Sequence, residues 1–178
     1  RSCKKRIMVK QSCLVLVKPD GLVKSLTGNI ITSLSQAGLK IIGTKVVSVS
    51  KELAELHYHE LKRDKPKIFE EVLKYIQGSY HTNRVLALVY SGEDAIQKIR
   101  TIAGATNPEK ADPTTIRGRY GRIHSQTDVM ENVMHASDSE KSAEREIKLW
   151  FSPEEIVEEL YPSKDGEKEV CGIPKVWA

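Results

Sequence analysis

Cysteine is scarce in this chain of 178 residues: there are three, Cys3, Cys13 and Cys171. An odd, widely spaced set with no CxxC or CxxH pair argues against a disulfide framework or a zinc site. It fits a reducing compartment, so a cytoplasmic location is expected. Aromatic residues make up only 6%, so any core must rest on Val, Ile, Leu and Ala. No apolar run approaches the ~20 residues that a membrane-spanning helix requires. The longest runs, at 14–17 and 85–90, are strand-sized, and no membrane partner is expected. The N-terminal RSCKKRIMVKQ is basic but lacks the apolar stretch of a signal peptide. The excess of one charge sign is also small, with 28 Lys+Arg against 24 Asp+Glu for a net +4. That is too mild and dispersed to imply nucleic acid, although it would not repel a polyphosphate. Neither GxxxxGK[ST] nor GxGxxG occurs, so binding of phosphate by a glycine loop is unsupported.

What the chain does contain is globular: 39% hydrophobic and 29% charged residues, in a length that suits one domain with extensions. Residues 12–18 (SCLVLVK) read as a buried strand running into a tight turn at Pro19-Asp20-Gly21. A helix is expected over 26–37, ended by Gly38, then a β-branched strand over 39–49. Ser50 caps a helix through SKELAELHYHELK, and Pro66 starts another that stops at Gly78. A third strand, 84–90, precedes a helix over 93–103. Residues 105–123 show no periodicity, and a loop of that length in a compact domain is functional or disordered. Residues 129–135 are a weak fourth strand. Ser137-x-x-Glu140 reads as a capping box for a helix with Ala143, Ile147 and Trp150 inward, and Ser152 to Glu155 as a second box. This order fits an α+β, ferredoxin-like fold, a four-stranded antiparallel sheet with helices packed on it.

The residues to interrogate lie at strand and helix ends. Lys18 closes a strand, and its ammonium is expected to project from the rim; Arg100 lies late in a helix, Thr106 follows its glycine cap, and Arg117 sits in the irregular segment. Three cations and a hydroxyl are a donor set for a polyphosphate, though a solvated side chain is the plainer reading of each cation alone. His135 lies between the weak strand and the capping box of Ser137, with Glu146 placed to fix its tautomer. Imidazole can act as a nucleophile, forming a phosphohistidine that divides one transfer into two steps. A packing or capping role is the plainer reading of a lone histidine, and the only one His57, His59, His81 and His124 invite.

Asn132-Val133-Met134-His135-Ala136-Ser137-Asp138-Ser139 closely resembles the NxxH[GA]SDS signature of nucleoside diphosphate kinases. Val17-Lys18-Pro19-Asp20-Gly21 resembles that family's VKPDG, and Thr106-Asn107-Pro108 with Thr115-Ile116-Arg117-Gly118 its TNP…TIRG loop. Ser142-Ala143-Glu144-x-Glu146-Ile147 with Trp150-Phe151 resembles its SAxxEIxxWF helix. The similarity runs from about residue 12 to 156 in collinear order. It implies ping-pong transfer of a γ-phosphoryl group from a nucleoside triphosphate, typically ATP, to a nucleoside diphosphate through a phosphohistidine at His135. It further implies Lys18, Arg100, Thr106, Arg117 and Asn132 at phosphate and sugar, Ser137 and Glu146 orienting the imidazole, and Tyr58 beside it. Mg2+ would be carried on the nucleotide phosphates, and the chain would assemble as a hexamer or another homo-oligomer of a common dimer.

Departures from the family pattern are local. Where paired Phe residues usually follow the proline, Lys67-Ile68-Phe69 stands, so either Ile68 or Phe69 takes the base, with Val129 a candidate for its other side. Segments 79–84 and 120–131 are longer than usual, and Ala136 replaces the commoner Gly. The expected division is a basic extension over 1–11, the kinase-like domain over 12–160 and a tail over 161–178. Two other readings are a catalytically idle relative serving as a binding module and a ferredoxin-like RNA binder. An idle relative would be expected to lose His135 or one of the cations, and the strands lack the aromatic pattern of an RNA binder.

Overall fold

The structure, a computed structural model, describes residues 9–164. The start at 1–8 and the segment from 165 onward lie outside the described residues, with Cys3, Cys171 and most of the expected extension and tail.

β1 (Lys10–Val17) is a central strand, paired antiparallel with β3 (Arg84–Glu93) along its length and with β6 (Met134–Ala136) through Val15, Leu16 and Val17. β2 (Lys40–Ser48) joins the far side of β3, also antiparallel, so the sheet runs β2-β3-β1-β6. Side chains alternate along a strand, so Cys13, Val15 and Val17 enter one core, with Ile30 and Leu34 of α2 (Thr27–Ser35) and Ile96 and Ile99 of α6 (Ala95–Ala103). Leu14 and Leu16 enter a second core, with Ala54 of α3 (Lys51–His57), Leu73 and Ile76 of α5 (Pro66–Ile76), and Ile147 and Trp150 of α8 (Glu140–Trp150). Helices thus cover both sheet faces, which is why residues 13–17 read as an unbroken apolar run. Burying one such Leu contributes roughly 1.5–3 kcal/mol. No described helix is long and apolar enough to cross a membrane.

Several local expectations are revised. Pro19-Asp20-Gly21 is not merely a turn but opens α1 (Pro19–Val23), with Pro19 in the first turn, where its missing N–H costs nothing. Ser50 does cap, its Oγ accepting from Leu53 N at 3.1 Å, but the helix breaks at Tyr58, and α4 (His59–Asp64) follows. The long segment after α6 holds a 3-10 turn (Pro108–Lys110), then α7 (Ile116–Tyr120), whose cap Thr115 accepts from Gly118 N. β4 (Arg122–Ile123) and β5 (Met130–Glu131) form a small hairpin of their own. The strand expected over 129–135 is interrupted at Val133, whose φ of 58° no strand residue adopts. The cap of α8 is Ser139, whose Oγ accepts from Ser142 N at 3.2 Å; Ser137 is used elsewhere. The Ser152 capping box is present but opens only a 3-10 turn (Pro153–Glu155).

Candidate active site

The strand alternation that sends Met134 and Ala136 into the α2/α6 core turns His135 to the opposite face, toward α3 and α8. There its Nε2 lies 3.0 Å from Glu146 Oε2, which also accepts from Ser137 Oγ at 2.6 Å. Ser137 Oγ in turn accepts from Leu14 N at 3.1 Å, so the serine is pinned to β1. Burial alone would raise the Glu146 carboxyl. The hydrogen bond and charge of His135, with the hydrogen bond from Ser137, outweigh it and hold the pKa below the usual value. Glu146 is therefore a carboxylate that can only accept, Nε2 must carry the hydrogen, and the Nδ1 lone pair is left for chemistry. His135 keeps 23% of its side chain exposed, on an open pocket of about 280 Å³ that His57, Tyr58, Asp138 and Arg145 also line.

His57, which the sequence offered only as a packing histidine, stands edge-on to His135 with ring centroids 4.6 Å apart. Trp150 Nε1 donates to His57 Nδ1 at 3.1 Å. Burial, then the neighbouring His135, push the His57 pKa well below its ordinary value. It is a neutral ring braced against that of His135.

Just before β6, the Asn132 side chain bridges two elements. Its Oδ1 accepts from Lys18 Nζ at 2.9 Å and its Nδ2 donates to the Thr106 carbonyl at 2.7 Å. Lys18 does not project from the rim as expected. It is buried, with its ammonium 4.8 Å from the Tyr75 ring centroid, and burial lowers its pKa to about 8. The left-handed Val133 beside it is held by two bonds: its N–H donates to Asp20 Oδ2 at 3.1 Å, and its carbonyl accepts from Lys18 N at 2.9 Å. Asp20 also accepts the Tyr75 hydroxyl. Asp20 and Tyr75 were missed because a PDG sequence signals a turn, not a buried acceptor.

Arg117 is buried and grips two carbonyls, of Gly104 at 2.9 Å and of Met134, next to His135, at 3.1 Å. Its Nε is a buried donor with no partner among the described residues. Burial, then the charge of Arg100, lower its pKa to about 10. Arg100 reaches both Arg117 and Asp138 electrostatically, and Tyr58 reaches Arg117 and Glu146. Among the described residues, none of Lys18, Arg100 and Arg117 forms an ion pair with a carboxylate. Three cations held near one another and without a direct ion pair among the described residues form a site for an anion. Thr106 is exposed at its edge.

The three base-contact candidates separate. Phe69 is 3% exposed within the second core, and Val129 is 2% exposed, so neither presents a free face; Ile68, on the same helix as Phe69, is half-buried. Among the described residues one trio of metal-ligating types is close-set, His57, His135 and Glu146, with donor atoms within 4.8 Å of one another. Two imidazoles do not suit Mg2+, which takes oxygen ligands, and His57 Nδ1 is already engaged by Trp150.

A family model described as nucleoside diphosphate kinase matches residues 11–156. A nucleoside diphosphate kinase of Pyrococcus abyssi is 46% identical over 153 residues, covering 86% of this chain and 90% of that protein. Among solved structures, a transition state mimic of the Borrelia burgdorferi nucleoside-diphosphate kinase, with bound vanadate and ADP, is similar with a TM-score of 0.74. It is 33% identical, and the match covers 88% of this chain and 94% of that one. A halophilic nucleoside diphosphate kinase from Halobacterium salinarum, in complex with CDP, also has a TM-score of 0.74, at 38% identity over 86% of this chain and 95% of that one.

Proposed function

The chain belongs to the nucleoside diphosphate kinase family, and on that premise we propose which of its residues perform the reaction. The activity is phosphoryl transfer from a nucleoside triphosphate to a nucleoside diphosphate, in two displacements through a phosphohistidine. His135 is the nucleophile. Its Nδ1 lone pair attacks the γ-phosphorus, an Nδ1–P bond forms, and the bond to the β,γ-bridging oxygen breaks, so that the diphosphate leaves with the electron pair. A second diphosphate then attacks the phosphorus with a terminal oxygen, and the electrons of the N–P bond return to Nδ1. Glu146 stabilises the positive ring between the two displacements, and Ser137 holds Glu146.

The single observation that carries this assignment is the engaged Nε2: a ring tied at 3.0 Å to a buried carboxylate has one nitrogen left to react. Lys18, Arg100 and Arg117 neutralise charge on the transferring group, which is most of what catalysis of phosphoryl transfer requires. The partnerless Arg117 Nε supports this, since a phosphate oxygen would satisfy it. Asn132 and Thr106 hold the sugar and phosphate end, and Tyr58 closes the wall beside His135. Mg2+ carried on the nucleotide would supply charge shielding for its phosphate oxygens. Ile68 lies against the base, and one apolar face without base-reading polar groups fits a broad substrate range. Exposed Ile41 and Val46 on the edge strand β2 support assembly as a homo-oligomer, and the cysteine pattern supports a cytoplasmic location.

The test is to separate the half-reactions. Protein treated with γ-labelled ATP and freed of nucleotide should pass its label to GDP, CDP or UDP, and double-reciprocal plots should be parallel. Intersecting lines with no transferable label would overturn the reading.

A further inference from the structure

The two connections expected from the family pattern to be long, residues 79–84 and 120–131, meet each other. The Tyr80 and His124 rings stack with centroids 5.9 Å apart and planes 23° apart, and the Tyr80 hydroxyl donates to Glu71 on α5. Behind that contact lies Glu131, 1% exposed. His81 Nε2 is 2.6 Å from Glu131 Oε1, and Arg122 Nε donates to Glu131 Oε2 at 2.6 Å. Burial would raise the Glu131 carboxyl, but these two hydrogen bonds hold it below its usual range. His81 also stands edge-on to Tyr75, at 6.3 Å and 84°, and Tyr75 carries the Lys18 ammonium on its ring.

A staple between loops has no need of a buried negative charge, least of all beside a cluster of cations meant for phosphate. Glu131 is placed one residue before Asn132, the residue whose amide links Lys18 to the Thr106 carbonyl. From the other side, Asp20 holds Val133 N, and Val133 is the left-handed residue after Asn132. The Asn132–Val133 turn is thus gripped at both ends by a buried carboxylate, one in the first segment after β1 and one in the long connections. Charge-assisted bonds of this length are the strong kind, and breaking one leaves a buried charge seeking water.

We propose that Glu131, clasped by His81 and Arg122, is a positioning residue that sets Asn132 and, through it, the Lys18 ammonium against the nucleotide. The proposal rests on the roles given above to His135, Lys18 and Asn132. It gives the two long segments one shared task and makes Arg122, with 56% of its side chain exposed, matter to turnover.

The experiment compares wild type with Arg122→Gln, Arg122→Lys, His81→Gln and Glu131→Gln, by steady-state kinetics and by phosphohistidine labelling of the wild type. Arg122 lies on the small β4–β5 hairpin, outside the four-stranded sheet, and is half exposed, so its variants decide the matter even if Glu131→Gln does not fold. Arg122→Gln and His81→Gln are expected to lower kcat by about tenfold, within the range that small misplacements cost, and Arg122→Lys to recover at least half of the wild-type kcat. A wild type that takes up no label overturns the site assignment itself. A labelled wild type whose Arg122→Gln and His81→Gln variants keep kcat within twofold, whatever their melting temperatures, overturns the positioning role alone, as does an Arg122→Lys variant no better than Arg122→Gln.

Discussion

His135 Nε2 sits 3.0 Å from Glu146 Oε2, and this pairing leaves Nδ1 as the imidazole nitrogen without that partner. The same carboxylate oxygen accepts from Ser137 Oγ, so the acceptor is itself fixed and the ring cannot choose its tautomer. Glu146→Gln keeps the size but offers an amide that can present N–H instead of oxygen. Nitrogen NMR of the wild type should show the Nε2–H tautomer, and the variant a mixture. The rate should fall by about 100-fold, a typical contribution from a positioned proton-holding group. A wild-type ring protonated at Nδ1 while neutral would contradict the account.

Lys18 is expected to carry the pH dependence. Burial lowers its pKa to about 8, with the Arg117 charge acting the same way and the Asp20 and Glu131 charges opposing. The ammonium is charged below that value and neutral above it. Phosphate capture, read as kcat/KM, should therefore decline as pH rises through about 8. In Lys18→Met the activity should be low and that limb absent. A wild-type profile flat from 7 to 9.5 would refute the assignment.

Gly21 tests the packing under Asn132. A Cβ there would meet the Val133 carbonyl oxygen at 2.9 Å and Val17 Cγ1 at 3.1 Å. Alanine in a helix would normally gain roughly 0.5–1 kcal/mol over glycine, but a clash with backbone in a packed region costs roughly 1–3 kcal/mol. The clash should win. Gly21→Ala is expected to lower stability by about 1 kcal/mol in urea unfolding and to reduce kcat, because the obstructed carbonyl belongs to the residue after Asn132.

Arg117→Lys removes the fork that reaches both the Gly104 and Met134 carbonyls. One ammonium cannot replace that geometry. The expected result is a fall in kcat/KM of about 100-fold, comparable to losing one transition-state donor, measured with ATP and GDP.

Patterns confined to one segment were legible in the sequence. The apolar run of β1, the stripe of α8 and the spacing from Asn132 to His135 to Glu146 each lie within a stretch short enough to read. What escaped were partnerships between distant segments. Asp20 with Val133, His57 with Trp150, and His81 with Glu131 have no signature in the linear order, because each depends on which chain ends the sheet brings together. Competition between close equivalents misled too. Ser137 and Ser139 both look like caps, and the one tied to Glu146 was unavailable to the helix. Phe69 and Ile68 looked interchangeable until burial of the phenyl ring in the second core removed it from the surface.

The central claim is that Nδ1 of His135 carries the phosphoryl group. It is tested most directly by incubating the protein with γ-labelled ATP, digesting it under alkaline conditions and identifying the labelled residue and ring nitrogen by phosphorus NMR and mass spectrometry. One acid-labile phosphate per chain is expected, on His135 at Nδ1, and none in His135→Ala. Label that survives in His135→Ala, or that resides on the Nε2 nitrogen facing Glu146, would contradict it.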